Sequence, residues 1–376
     1  MRFGTYYFLQ RPPGRDESAI IREELDQMIW SEALGYDSVW LTEHHFADYG
    51  LSSAPSVLAA AVLSRTTRLH LGLAVYVLPF HHPIRFAEEM ATLDIISGGR
   101  FIVGIGRGNR PAEFVGYGVP QEESRGRFEE GIDIAVQAWT QEHVEFTGRY
   151  WQIPRTPVHP KPLTRPHPPI AVAATSPETV TWTAQRGYRL LSSGLFTPLR
   201  QSVELRTLYA DALARAGHDP ATTARLLGQW TLTKHVYVAP TDAEAQADAR
   251  DAELWYLDSY CRSMRADHLA NVSVTVRRQA EQMIAQIQAL RWDDLLRDAL
   301  LIGSPETVRA KVAEIQAAGV GELACWMNFG GLPPDKVRRS MALFAREVMP
   351  AFHGAPAVTP AAAQGPAPAA GAGLSE

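Results

Sequence analysis

Along this chain, short runs rich in Val, Ile, Leu and aromatic residues alternate with longer segments whose apolar positions recur every three or four residues. Phe3 to Phe8 predicts a first strand. Ile20, Ile21, Leu25, Met28, Ile29 and Ala33 then fall on one face of a helix that Gly35 stops. Ser38–Thr42, Leu69–Leu78 and Arg100–Gly106 read as the next three strands. Between them lie an Ala-rich helix from about 54 to 63 and a helix opened by Pro83 and ended at Ser97-Gly98-Gly99. Further strands are expected at Ile170–Ala173, Arg189–Ser192, Leu232–Val238 and Glu322–Met327, with helices near 177–186, 200–216, 241–259, 304–318 and 335–348.

Such alternation is the pattern of an α/β protein with a parallel sheet. Eight strands with helices between them suit a single eight-stranded parallel β/α (TIM) barrel with insertions, whose size range of about 200 to over 400 residues includes the 376 of this chain. A doubly wound open sheet is the structural rival. The barrel domain is expected to span residues 1–353. Thr147 to Pro169 is Pro-rich and reads as an external loop with a short hairpin, while Arg262 to Leu295 interrupts the last strand–helix units. Residues 354–376 are almost wholly Ala, Pro and Gly and are expected to be a disordered tail.

Composition narrows the class of function. At 46% hydrophobic and 20% charged residues with net charge -5, the chain is neither disordered throughout nor collagen-like nor a coiled coil. Its longest uninterrupted apolar stretch, Val57 to Leu63, is far short of the roughly 18 residues of a membrane span. No signal-peptide segment follows Met1, so a cytoplasmic protein is expected. Cys261 and Cys325 stand apart from each other and from any His at metal spacing, which argues against a disulfide framework and a metal site. With 36 basic against 41 acidic residues there is no footprint for nucleic acid, and small-molecule chemistry becomes the leading class.

Three segments carry candidate chemistry. Thr42-Glu43-His44-His45-Phe46 follows the second strand, where a barrel places its catalytic groups, and a His there is a natural general acid or base. A strand-end His that only hydrogen-bonds its neighbours is the simpler reading of the same residue. The fourth strand runs into Gly104-Ile105-Gly106-Arg107-Gly108-Asn109, whose glycines admit an anion to the backbone and whose Arg107 offers a guanidinium fork, although Asn109 breaks the full dinucleotide fingerprint. Arg125 is a second candidate partner for the same anion. Ala174-Thr175-Ser176-Pro177-Glu178-Thr179 follows a strand and starts a helix, with Ser176 as N-cap and free N–H groups beside the hydroxyls. Together the three point to a phosphorylated cofactor more than any one alone.

In these segments the chain resembles the bacterial luciferase-like flavin-dependent monooxygenases, and within them the alpha subunit. The resemblance is carried by Met1-Arg-Phe-Gly, Gly35-Tyr-Asp-Ser-Val-Trp-Leu-Thr-Glu-His-His-Phe, Val77-Leu-Pro with His82-Pro83, Gly99-Arg-Phe with Gly104-Ile-Gly-Arg-Gly, Gly303-Ser-Pro-Glu and the segment from Met341 to Pro350. It implies a barrel that takes reduced FMN from a separate flavin reductase and, with O2 as co-substrate and through a C4a-peroxyflavin, oxidises a small organic substrate. By the same resemblance Arg107, Arg125, Ser176 and Thr179 hold the phosphate with Thr175 beside it, Ala74 and Val75 line the isoalloxazine, and His44 is the catalytic base or proton donor. The insertion at 262–295 is implied to be a lid, and the chain to be a homodimer paired through the helices near 54–63 and 83–97. The sequence departs from luciferases at Gly106, where they carry a reactive cysteine, and at Thr175, where they carry a glutamate, which implies a non-luminescent role. The alternatives are a deazaflavin- or nicotinamide-dependent oxidoreductase on the same fold, and a non-catalytic flavin-binding partner subunit.

Overall fold

A computed structural model describes residues 1–353 apart from 267, 268 and 271, so the expected tail at 354–376 lies outside the described residues. Eight parallel strands close on themselves: β1 (Arg2–Tyr7), β2 (Ser38–Leu41), β3 (His70–Leu73), β4 (Phe101–Gly106), β5 (Ile170–Ala173), β6 (Arg189–Ser193), β7 (Thr231–Val238) and β8 (Glu322–Trp326). Each pairs with the next, and β8 pairs back onto β1 with Arg2 opposite Glu322. This is the expected TIM barrel, and closure excludes the open-sheet rival. No helix among the described residues is long and apolar enough to cross a membrane.

The floor of the barrel is sealed, which leaves the C-terminal strand ends as the place for a site. Trp40 fills the interior because β3 carries glycine beside it: a Cβ on Gly72 would lie 2.3 Å from the indole. Its Nε1 donates to Glu322 Oε1 at 2.8 Å, Ser38 donates to the same oxygen, and Arg2 pairs with Oε2 at 2.8 Å. Burial alone would raise the Glu322 pKa, but the Arg2 guanidinium and these two donors hold it below the usual carboxylate value.

Four sequence expectations need correction. The single strand at 69–78 is two, His70–Leu73 and Tyr76–Val77, separated by Ala74 and Val75, whose peptide bond is cis. Gly72 pairs with Ile102 but Tyr76 with Ile105, so the third strand holds one residue more than its neighbour and bulges. The hairpin begins before Thr147, pairing His143–Thr147 with Gln152–Pro157. The stretch 262–295 is largely helical: it starts inside the helix Asp242–Met264 and contains Val274–Gln288 and most of Trp292–Asp298. Its apolar stripe is thin, with Val276, Ala280 and Ile287 as the buried positions of the middle helix, and this hid the period. The helix Ser124–Thr140, absent from the sequence reading, buries Phe128, Ile132, Ile134, Ala135, Ala138 and Trp139, and it carries Arg125 in its first turn.

Candidate active site

β2 ends at Leu41, and the four residues that follow make a buried polar network. His44 stacks on Phe8 with ring centroids 5.0 Å apart, and Phe8 stacks in turn on Trp326 of β8 at 4.1 Å, so an aromatic column holds the imidazole over the barrel. The Nδ1 atom of His44 lies 2.9 Å from Glu113 Oε1, which also accepts the His45 backbone N–H at 3.0 Å. Burial lowers the His44 pKa, against the opposing pull of Glu113. His45 turns the other way: its Nε2 donates to Glu43 Oε1 at 2.9 Å and its Nδ1 faces the Tyr117 hydroxyl at 3.0 Å. Glu43 also accepts from His81 Nε2 at 2.6 Å and the Val77 N–H at 2.6 Å. Burial would raise this carboxylate, yet the donors from His45, His81 and Val77 bring it down to about 2. The adjacent histidines thus have separate partners, as their opposite directions on an extended chain require.

On the far side of the strand ends the expected anion-binding residues converge. Ser176 caps the helix Pro177–Gln185, its Oγ accepting the Thr179 N–H at 3.4 Å and lying 3.0 Å from the Thr179 hydroxyl. Arg125 reaches from its own helix to Glu178 in the first turn of that helix at 2.7 Å, and to Glu129 at 3.1 Å. Arg107 is half-buried after β4, and among the described residues it makes no hydrogen bond or ion pair. Burial first, and then the neighbouring Arg125 charge, lower its pKa from the usual value. Two guanidinium groups, two hydroxyls and a helix start form a donor set suited to a phosphate. Thr175 is exposed beside them, and no hydrogen bond engages its side chain among the described residues.

Between these two clusters lie Ala74 and Val75. The Ala74 carbonyl accepts the Tyr6 hydroxyl at 2.9 Å, and a Cβ on Gly106 would stand 2.5 Å from the Val75 side chain. The absence of a side chain at position 106 is therefore matched to the bulk of Val75. A cavity of about 110 Å3 opens beside His44, lined also by Tyr49, Arg110, Glu113, Arg262 and Arg265. Glu113, Glu43, His81 and Arg110 escaped the sequence reading. Glu43 was visible within the Thr42–Phe46 segment, but the others meet His44 or Glu43 only through folding.

Comparison with known proteins follows the same lines. The sequence model of the family described as luciferase-like monooxygenase matches residues 1–322. The chain is 28% identical to the alkanal monooxygenase alpha chain of the Kryptophanaron alfredi symbiont, over 93% of this chain and 98% of that one. It is 26% identical to the oxygenase component of the flavin-dependent trigonelline monooxygenase of Acinetobacter baylyi, over 94% and 96%. In fold it is similar to the oxygenating constituent of 3,6-diketocamphane monooxygenase from Pseudomonas putida, a type II Baeyer–Villiger monooxygenase solved in complex with FMN. The TM-score is 0.76 at 22% identity, covering 93% of this chain and 98% of that one.

Proposed function

Because the chain belongs to the luciferase-like monooxygenase family, we propose that it is the oxygenase half of a two-component system. In this reading it takes reduced FMN from a separate flavin reductase and oxidises a small organic substrate with O2, as a cytoplasmic homodimer. The observation that carries the reading is the pairing of a half-buried Arg107, without a side-chain partner among the described residues, beside a capped helix start with a His44 whose tautomer Glu113 fixes, both at C-terminal strand ends of one barrel. The relative that carries an oxygenase component supports a separate reductase. The fold neighbour solved with FMN agrees with the phosphate donor set.

The residues divide the work by position. Arg107 and Arg125 bind the phosphate with the Ser176 and Thr179 hydroxyls, next to Thr175, and Glu178 is the charge that Arg125 gives up. Ala74 and Val75 line the flavin ring, where glycine at 106 leaves room for the Val75 side chain. When bound, reduced FMN would supply the two electrons and two protons with which one oxygen atom of O2 enters the substrate and the other leaves as water. His44, protonated at Nδ1 toward Glu113, holds or moves a proton at Nε2 beside the reacting atoms. The helical segment at 262–295 acts as the lid that excludes water.

The test is direct. Mixing the protein loaded with reduced FMN into oxygenated buffer should give a flavin absorbance transient distinct from both the reduced and the oxidised cofactor. NAD(P)H without a reductase should give no turnover. Flavin reoxidation at the rate of free reduced FMN, with no transient, would overturn the proposal.

A further inference from the structure

Arg110 lies between the Arg107–Asn109 loop that follows β4 and the short helix Pro111–Gly116, with 4% of its surface exposed. Its guanidinium carbon stands 4.4 Å from the ring centroid of Tyr49 and 4.1 Å from that of Tyr260, so the cation is sandwiched between two aromatic faces. Those faces attract the charge, and the Tyr49 hydroxyl is near enough to accept from the guanidinium. Among the described residues its Nε and Nη1 have no hydrogen-bond partner. A buried cation with unmet donors is costly unless something completes it.

The same residue lines the cavity of about 110 Å3 beside His44, room for several water-sized groups. Arg262 and Arg265 line that cavity too, against a single glutamate, Glu113, whose Oε1 is already taken by the His44 ring and the His45 N–H. Arg262 and Arg265 are both exposed, and Arg262 is paired with Asp258, which leaves Arg110 as the desolvated charge of the set. Tyr49 meets His44 edge-on at 4.9 Å, so the apolar wall beside the guanidinium continues to the imidazole. Building on the reading of this cavity as an oxygenase site, we infer that Arg110 receives the carboxylate of a planar organic acid and so orients the substrate toward His44. The guanidinium fork matches a carboxylate in two parallel hydrogen bonds, and the tyrosine rings flank it as they would a flat unsaturated body.

The experiment is calorimetric titration of the full chain at pH 7 with benzoate, and with benzamide, which keeps the ring and the planar group but not the charge. Benzoate should bind at least roughly tenfold tighter, the worth of a charge-assisted hydrogen bond. Arg110→Gln should bring benzoate to the benzamide level and leave FMN affinity within about twofold, with Arg110→Lys intermediate for benzoate. Equal binding of the two probes by the unmodified protein overturns the inference and needs no variant. So does undiminished benzoate binding by the Gln variant, or by the Lys variant if circular dichroism shows the Gln variant unfolded. Parallel loss of FMN and benzoate would assign the guanidinium to the cofactor instead and overturns it too. Failure of oxygenase turnover alongside retained benzoate selectivity would remove the oxygenase reading while supporting the carboxylate site.

Discussion

Glu113 Oε1 lies 2.9 Å from Nδ1 of His44, a residue 69 positions earlier in the chain. A carboxylate only accepts, so Nδ1 carries the ring proton and Nε2 keeps its lone pair. The stacking of His44 on Phe8 fixes the plane in which that lone pair points. Removing the imbalance between the two ring nitrogens should therefore harm chemistry before it harms binding. His44→Ala is expected to lower product formation by about 10²–10⁴-fold, the usual loss of a general acid or base. Flavin affinity should stay near normal and hydrogen peroxide release should rise. Unchanged product and peroxide yields would return His44 to a hydrogen-bonded strand-end histidine.

The pH profile follows from the direction of the His44 shift. Burial lowers its pKa from the ordinary 6.5, so the ring is neutral at pH 7 and protonates only in more acid solution. If Nε2 acts as a base, activity should hold from pH 8 down through 6.5 and fall only below that. An acid limb centred above 6.5 that disappears in the His44 variant would contradict the assignment.

Arg107→Ala should weaken FMN through loss of a charge-assisted hydrogen bond of about 1.5–3 kcal/mol, roughly ten- to over a hundredfold. Riboflavin lacks the phosphate and should respond much less. Fluorescence titration with both flavins decides, and equal losses would place Arg107 away from the phosphate.

Glu178 supplies a sign test at the same site. Its carboxylate, 2.7 Å from Arg125, competes with a phosphate for that guanidinium. Because Glu178 is exposed, the effect is modest: Glu178→Gln should tighten FMN by roughly two- to fivefold at low ionic strength. The gain should shrink as salt is added. Weaker FMN binding in this variant would mean that the ion pair positions Arg125 for the phosphate rather than competing with it.

Assembly is testable on the helices Pro55–Leu63 and Pro83–Ser97. Their inner faces are buried through Ala59, Val62, Phe86 and Met90, while Val57 is 67% exposed and Ile95 and Ile96 are each 45% exposed. Apolar side chains left outside on two neighbouring helices suit an isologous contact between copies. Sedimentation equilibrium should give a dimer at micromolar concentration and a shift toward monomer in Val57→Glu. A monomeric parent protein would refute the homodimer.

Much of the fold was legible in the chain because strands, helix caps and turns are encoded within a few residues. The runs at Ile170–Ala173 and Arg189–Ser192, the Ser176-Pro177 helix start and the glycine stop at Gly98 each have a local physical cause, and each lies where the pattern puts it. Their number and alternation suited a barrel, and the pairing of β8 with β1 decided it against an open sheet. The extra residue in the third strand was not legible, because Leu71–Leu78 carries no polar break to mark it and only pairing with β4 reveals where the register shifts. The helix at 274–288 is hidden for a related reason, because polar residues dominate it, whereas the helix at 124–140 carries a helical apolar face through Phe128, Ile132, Ala135 and Trp139 that the sequence reading passed over.

The candidate site divides along the same line. His44, Arg107 and Ser176 could be named from sequence because residue type and position after a strand carry their chemistry, while the roles of Arg125, Thr175 and Thr179 were implied by the family resemblance. What sets the state of those groups came only from tertiary structure. Glu113 orients His44, His45 and His81 meet on Glu43, and Arg110 is enclosed by Tyr49 and Tyr260. These partners sit on different strand ends and helices, brought together by barrel closure and side-chain direction, and no short-range pattern in the chain records such a convergence.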